Sequence, residues 1–151
     1  MKILMICLGN ICRSPLAEGI LKFKLKQAGI NWDVESAGTN RFHICEPPHH
    51  FSQKVALLNH IDISKQVSRL FVKEDFDAFD KIYAMAEDVI DDMKIIGQDK
   101  FKIEKVDLLM NAIYPDKNMD VPDPWYGAEP GYHEVFKMIS LACDALIKKI
   151  K

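Results

Sequence analysis

Residues 1–15 of the chain are MKILMICLGNICRSP, and this stretch indicates the class of fold. The run over residues 3–7 is apolar without interruption, which is typical of a parallel strand covered on both faces. A turn containing Gly9 follows. Beyond it we expect a helix with Ser14 as its N-cap and Pro15 as its first residue. A buried strand that passes through a tight turn into a helix predicts an α/β fold.

The remainder of the chain alternates between strand-like apolar runs and amphipathic stretches. Gly29 is the expected end of the first helix, because glycine readily takes the left-handed conformation that closes helices. Further strands are predicted at residues 32–37, 81–85 and 105–110, further helices at 51–59, 87–96 and 132–150, and irregular segments at 61–71 and 111–124. Strands that alternate with helices imply right-handed crossovers. The predicted fold is therefore a three-layer α/β/α arrangement around a central four-stranded parallel sheet.

Composition places the chain among ordinary globular proteins. Its 151 residues are 48% hydrophobic and 28% charged, which is enough apolar surface to bury a core and too much for a disordered chain. We therefore expect a single domain over residues 1–151, and a monomer. Lys and Arg number 20 against 22 Asp and Glu, so the net charge is −2. This balance gives no reason to bind nucleic acid or an anionic membrane.

Cellular compartment is also constrained by the sequence. Four cysteines are too few for a disulfide scaffold and indicate a reducing compartment, so a cytoplasmic location is expected. The apolar run at residues 3–8 stops at Gly9, which is too short for a secretory signal. No stretch approaches the ~20 apolar residues of a membrane span.

The turn at residues 7–14 carries the chemistry. In a doubly wound sheet, ligands bind at the carboxyl ends of the strands, where this turn meets the N-terminus of a helix. Cys7 faces the positive field of that helix end, which favours a thiolate nucleophile. Gly9 is expected to let the backbone fold into a nest of N–H groups, and Arg13 adds a planar fork for two oxyanion oxygens. Together these features make the turn a phosphate-binding loop between the first strand and the first helix.

Five motifs resemble the low-molecular-weight protein tyrosine phosphatases. They are residues 7–15 (CLGNICRSP), 36–39 (SAGT), 46–48 (EPP), 73–76 (KEDF) and 123–127 (DPWYG). The resemblance spans nearly the whole chain. It implies an enzyme that hydrolyses phosphotyrosine, or aryl phosphate monoesters generally, through a phosphocysteine intermediate. It implies phosphotyrosine-containing proteins as partners, and no metal or organic cofactor.

The resemblance also assigns roles to residues of these motifs. Cys7 is the nucleophile, Arg13 holds the phosphate, and Asp123 is the general acid and then the base toward water. The phosphate-binding residues are expected to be Leu8, Gly9, Asn10, Ile11, Cys12, Arg13 and Ser14. Three polar residues are expected to support this loop, namely Asn10, Ser14 and Ser36.

Aromatic side chains are expected to line the substrate cleft. Trp125 and Tyr126 follow Asp123, and flat rings there could stack on a phenyl phosphate and reject short aliphatic esters. Phe42 lies in the loop that matches the opposite wall, and the sequence leaves it equally open that Phe42 anchors this loop in the core. His49 is assigned to the same cleft.

The remaining cysteines and histidines have simpler interpretations. The three histidines between residues 43 and 50 match no zinc-ligand spacing, so a polar cleft edge is expected there and not a metal site. The resemblance implies a reversible disulfide between Cys7 and Cys12 that protects the nucleophile, with packing as the alternative role of Cys12. Cys143, on the last helix, is expected to be a buried thiol.

Several positions depart from the family pattern. Gln66 stands where a loop-supporting His is common, and an amide cannot ionise. Ala86 stands where an Asp is usual, and Cys45 where Gly is common. His49 and His50 stand where an Asp usually follows the two prolines. These changes lie in loops that would meet substrate, so we expect them to alter specificity more than chemistry.

Three other functions fit parts of the pattern. An arsenate reductase of the same fold needs further cysteines after the third strand, and residues 82–96 contain none. A non-enzymatic phosphate-binding or partner-binding module would be expected to lack Cys7, Arg13 or Asp123, and all three are present. A phosphocarrier of a sugar-transport system could use a cysteine at a strand end but has no need of Arg13 and Asp123 together.

Overall fold

A parallel sheet of four strands forms the centre of the computed structural model, which describes residues 1–150. The strands are β1 (Lys2–Cys7), β2 (Asp33–Gly38), β3 (Lys81–Ala84) and β4 (Val106–Leu108), in the spatial order β2-β1-β3-β4. Strand β1 pairs with β2 and β3, so Cys7 lies opposite Gly38 and Ile6 lies opposite Ala84. The carboxyl end of β1 is therefore flanked by strands on both sides, and the loop to the first helix emerges between them.

Helices cover both faces of this sheet. The α-helices within residues 1–150 are α1 (Arg13–Ala28), α2 (His50–Leu58), α3 (Asp75–Ala78), α4 (Glu87–Gly97) and α5 (Glu129–Ile150). Because side chains alternate along a strand, Ile3 and Met5 join the core beneath α1 and α5, whereas Leu4 and Ile6 join the core beneath α3 and α4. The predicted three-layer α/β/α fold is confirmed. None of the helices in residues 1–150 has the length and apolar character needed to cross a membrane.

The predicted strands and helices are present, with shifted ends. Helix α5 begins at Glu129, earlier than predicted, because Pro130 fits the first turn of a helix. Strand β4 is shorter than predicted, because the chain tightens into a 3₁₀ turn at Leu109–Ala112. Helix α3 was not predicted, since four residues are too few to show a helical period. The other 3₁₀ turns are Gln98–Lys100, Ile103–Lys105 and Pro124–Tyr126.

The start of α1 differs from the prediction. The helix begins at Arg13, with Cys12 at the N-cap position and no side-chain cap, so the assignment of Ser14 as the N-cap is wrong. Ser14 lies inside the first turn, where its hydroxyl contacts the preceding loop. The end of α1 agrees with the prediction, because Gly29 takes the left-handed conformation with φ 69°.

Candidate active site

The loop between β1 and α1 lies directly against the end of β2. A Cβ atom on Gly38 would lie 2.6 Å from the carbonyl oxygen of Leu8 and 3.0 Å from the backbone nitrogen of Asn10. Real Cβ atoms do not approach backbone this closely, so only glycine fits at the end of β2. The SAGT motif at residues 36–39 thus provides the surface against which the loop folds.

Asn10 gives the loop its unusual backbone. Its φ is 58°, in the left-handed region, whereas Gly9 lies outside that region. The left-handed residue of this turn is therefore Asn10 and not Gly9, the residue from which the nest of N–H groups was expected. Asparagine tolerates this conformation because its short polar side chain bonds locally. The Asn10 amide nitrogen donates to Ser14 Oγ (2.7 Å) and Ser36 Oγ (3.0 Å), and its Oδ1 accepts the backbone N–H of Arg69 (3.1 Å).

Cys7 ends β1 with its sulfur pointing into this loop. The residue is 2% exposed, and its Sγ lies 3.0 Å from Ser14 Oγ. The backbone N–H of Asn10 donates to the same sulfur at 3.3 Å. Two donor groups therefore face Cys7 Sγ, and they would stabilise negative charge on it.

Arg13 and Asp123 meet above the loop. Arg13 is only 4% exposed, and its Nη1 donates to the carbonyl of Val121 at 2.9 Å. Its Nη2 lies 3.6 Å from Oδ2 of Asp123. The other carboxylate oxygen of Asp123 accepts the backbone N–H of Trp125 at 3.0 Å, which begins the 3₁₀ turn Pro124–Tyr126.

A cavity of about 200 Å³ opens over these residues. Its lining consists of Cys7, Leu8, Gly9, Ile11, Cys12, Arg13, Asn40, Phe42, His43, Asp123, Trp125 and Tyr126. Phe42 is 83% exposed and Tyr126 is 88% exposed, so both rings stand at the mouth of the cavity. The alternative in which Phe42 anchors its loop in the core is wrong.

The residues predicted from the sequence fall into two layers. Cys7, Arg13 and Asp123 line the cavity, while Asn10, Ser14 and Ser36 lie buried behind the loop and bond to one another. His49 does not line the cavity. Its ring packs behind Trp125, and its Nδ1 caps α2 by accepting the backbone N–H of Phe51.

Two further residues, Asn40 and His43, line the cavity; Asn40 was not predicted, whereas His43 was expected only as part of a polar cleft edge. Both residues lie within two positions of Phe42. The prediction that Phe42 lines the cleft was therefore the signal that could have identified them. Sequence alone could not show that the His43 ring turns toward Trp125, because that contact joins distant segments.

Further contacts hold the loop from behind. Ser36 Oγ donates to Glu18 Oε1 at 2.7 Å, and Glu18 pairs with Lys22 at 2.7 Å. Arg69, whose backbone N–H donates to Asn10 Oδ1, forms a bidentate salt bridge with Asp75 at 3.0 and 3.1 Å. The KEDF motif is thus tied to the loop through Arg69.

Gln66 supports α1 and does not contact the loop side chains. Its amide nitrogen donates to the carbonyl of Pro15 at 3.1 Å, and its buried Oε1 has no partner within the described residues. The amide therefore steadies the first turn of α1, and it supplies no ionisable group to the site.

The cysteines differ in their surroundings. Cys12 is buried beneath the cavity, its Sγ lies 3.5 Å from the Tyr132 hydroxyl, and burial raises the pKa of Cys12 to about 12. Cys143 is fully buried in the core, as predicted, and burial raises its pKa to about 12 as well. Cys45 is exposed with φ 67°, so it occupies the left-handed conformation that glycine takes readily. All four cysteines are free thiols.

The side chains of residues 1–150 form no cluster typical of a metal site. In this part of the chain no three His, Cys, Asp or Glu side chains come together as metal ligands would. The histidines near the cavity instead contact aromatic rings.

Comparison with known proteins gives one consistent family. The family model described as low molecular weight phosphotyrosine protein phosphatase matches residues 2–151. The low molecular weight protein-tyrosine-phosphatase PtpA of Staphylococcus epidermidis is 40% identical over 96% of this chain and 90% of that protein. The human low molecular weight phosphotyrosine protein phosphatase is 35% identical over 97% of this chain and 94% of its own length. A crystal structure of an Entamoeba histolytica protein tyrosine phosphatase, with Hepes in its active site, superposes with a TM-score of 0.91 at 34% identity, covering 99% of this chain and 96% of that one.

Proposed function

The chain belongs to the low molecular weight phosphotyrosine protein phosphatase family, and we propose that Cys7, Arg13 and Asp123 are the residues with which it hydrolyses phosphotyrosine. One observation carries this assignment. The three side chains line a single cavity, and Arg13 contacts Asp123 directly, although they come from separate segments of the chain.

In the first step, the Cys7 thiolate attacks phosphorus. The S–P bond forms as the bond from phosphorus to the phenolic oxygen breaks, and Asp123 gives its proton to that departing oxygen. The backbone N–H groups of residues 8–14 and the Arg13 guanidinium hold the phosphoryl oxygens through the transition state. The phenol leaves, and phosphocysteine remains.

In the second step, Asp123 is a carboxylate and takes a proton from water. The water oxygen attacks phosphorus as the S–P bond breaks, which releases inorganic phosphate and restores the Cys7 thiolate. Asp123 is protonated again at the end, so one residue serves as acid and then as base. The chemistry uses only side chains and backbone groups of the chain and needs no metal or organic cofactor.

The rim of the cavity supports a preference for aryl esters. Phe42 and Tyr126 stand exposed at the mouth, and Trp125 lines the same cavity. Rings in this position can stack on the phenyl group of phosphotyrosine, whereas an aliphatic phosphoester would leave them uncovered.

We also propose the oligomeric state, the location and the redox behaviour of the enzyme. The enzyme works as one domain over residues 1–151, as a monomer and in the cytoplasm, where free thiols persist. Cys12 is the redox partner of Cys7, and the fact that both residues line the same cavity supports this role. Asn10, Ser14 and Ser36 keep the loop in shape.

Substrate choice tests this function. The kcat/KM values for phosphotyrosine peptides are compared with those for phosphoserine peptides of the same sequence, and thiol-dependent turnover of arsenate is measured in parallel. We expect phosphotyrosine to be preferred and arsenate not to be turned over. Preference for phosphoserine, or arsenate reduction, would contradict the proposal.

A further inference from the structure

The indole of Trp125 contacts two histidines of the loop between β2 and α2. Its ring centroid lies 5.3 Å from that of His43, at an interplanar angle of 56°, and 5.4 Å from that of His49, in an edge-on arrangement at 79°. Tilted and edge-on ring pairs at these separations attract one another. Trp125 is nonetheless 45% exposed, so few other groups restrain it.

Other contacts fix the position of His49. Its ring stacks on Tyr132 at 5.1 Å, and its Nδ1 accepts the backbone N–H of Phe51 at 3.1 Å. Its own backbone N–H donates to the carbonyl of Ile11, in the phosphate-binding loop, at 2.8 Å. Burial, helped by the neighbouring His50 and His43, lowers the pKa of His49, which favours the neutral ring that the Nδ1 cap requires.

His43 is also held against the phosphate-binding loop. A Cβ atom on Gly9 would lie 3.1 Å from Cδ2 of His43, so the imidazole ring packs directly on Gly9. Its Nδ1 pairs with Glu46 at 3.1 Å, and its carbonyl accepts the hydroxyl of Ser68. Both histidines are therefore attached to the same loop that carries Cys7.

Trp125 in turn holds Asp123. The Trp125 backbone N–H donates to Asp123 Oδ1 at 3.0 Å, within the turn Pro124–Tyr126. A shift of the indole would therefore move this N–H and the carboxylate together. It would also change the contact between Asp123 and Arg13.

We propose that His43 and His49 are positioning residues that clamp Trp125 and thereby hold the Asp123 carboxyl within hydrogen-bonding reach of the leaving-group oxygen. This inference rests on the proposed role of Asp123 as the general acid. The clamp couples the loop that carries Asp123 to the phosphate-binding loop through the two imidazole rings and the indole, in addition to the contact made by Arg13.

The kinetic consequence depends on the leaving group. A phenolate of high basicity needs the proton of Asp123, whereas p-nitrophenolate leaves readily without it. Loosening the clamp should therefore lower kcat/KM for phenyl phosphate by about 3- to 10-fold and for p-nitrophenyl phosphate by less than about 2-fold. Loss of a general packing contact would affect both substrates equally.

The experiment combines these kinetics with Trp125 fluorescence. The chain has two tryptophans, so a Trp32→Phe background leaves Trp125 as the sole emitter. His43→Ala and His49→Asn are introduced there. Asparagine keeps an acceptor at the start of α2, so His49→Asn removes the ring and preserves the cap. His60→Asn is the matched control, because His60 is exposed and lies outside the ring contacts of the clamp, and asparagine tolerates its φ of 66°. His43→Phe restores a ring and should rescue the loss.

The clamp predicts stronger acrylamide quenching of Trp125 in His43→Ala and His49→Asn, together with the selective loss on phenyl phosphate, and neither effect in His60→Asn. Unchanged quenching would overturn it, as would equal losses on the two substrates. Asp123→Asn is measured on the same substrates. If that variant shows no dependence on the leaving group, the proposed function fails, whereas the quenching result still decides whether the histidines hold Trp125.

Discussion

Arg13 Nη2 lies 3.6 Å from Asp123 Oδ2, so the arginine proposed to bind phosphate and the proposed acid contact each other directly. Arg13 also donates to the carbonyl of Val121, and 108 residues separate these two in the sequence. The contact therefore joins two distant segments into one site. A guanidinium in this position neighbours both the entering dianion and the carboxyl that must protonate the leaving group.

The first prediction concerns Asp123 as proton donor. Asp123→Asn keeps the size of the side chain and removes its acid, so kcat/KM for phenyl phosphate should fall by about 10²- to 10⁴-fold. The loss on p-nitrophenyl phosphate should be much smaller. Asp120→Asn is the control, because Asp120 bonds to the Glu87 backbone outside the cavity lining. Equal losses on both substrates would argue against the role.

A second prediction follows from the close approach at Gly38. In Gly38→Ala, the new methyl group would meet the Leu8 carbonyl at 2.6 Å, so the phosphate-binding loop must shift. We expect the free energy of unfolding to fall by about 1–3 kcal/mol in urea titrations, with weaker binding of inorganic phosphate. Gly131→Ala is the control, since its nearest neighbour lies at 3.9 Å. A variant as stable as the parent would show that the loop is more adaptable than this contact implies.

Oxidation provides a third prediction. Peroxide converts Cys7 to a sulfenic acid, and the Cys12 thiol then displaces its oxygen, forming the disulfide and releasing water. Activity of the parent enzyme should return on treatment with dithiothreitol, whereas Cys12→Ser should recover less because Cys7 proceeds to irreversible states. Cys45→Ser, at an exposed position, is the control. Full recovery of Cys12→Ser would contradict the redox role.

The lowered pKa of His49 sets the sign of a fourth prediction. Because burial favours the neutral ring in the folded state, its contribution to stability is present above the unfolded value of 6.5 and is lost as pH falls below it. Between about pH 7.5 and about pH 5.5, the free energy of unfolding should therefore drop more for the parent than for His49→Asn. Parallel pH profiles would show that His49 does not titrate in this way.

The sequence predicted the fold well where local pattern and burial agree. The apolar run of β1 and the turn after it could be recognised because a strand buried on both faces leaves a continuous signal. Ser14 was misassigned because its tertiary contacts with Cys7 and Asn10 outweigh its preference for an N-cap. The left-handed backbone of Asn10 could not be predicted for a similar reason, since it depends on side-chain bonds that Asn10 makes in the folded chain.

The residues that meet across the site were harder to predict. Cys7, Arg13 and Asp123 could be named because they lie in short motifs, and they do line one cavity. The contacts of Trp125 with His43 and His49 join two segments that no local pattern connects, so a polar cleft edge could be expected at these histidines but their packing on Trp125 could not.

The central claim is that Cys7 forms a covalent bond to phosphorus, and trapping tests it most directly. The enzyme is mixed with excess p-nitrophenyl phosphate, quenched within the first turnover, and mapped by peptide mass spectrometry. Asp123→Asn is included, because loss of the base toward water should prolong the intermediate. We predict phosphate on the Cys7 sulfur, more of it in Asp123→Asn, and none in Cys7→Ser. Phosphate on another residue, or undiminished turnover by Cys7→Ser, would contradict the account.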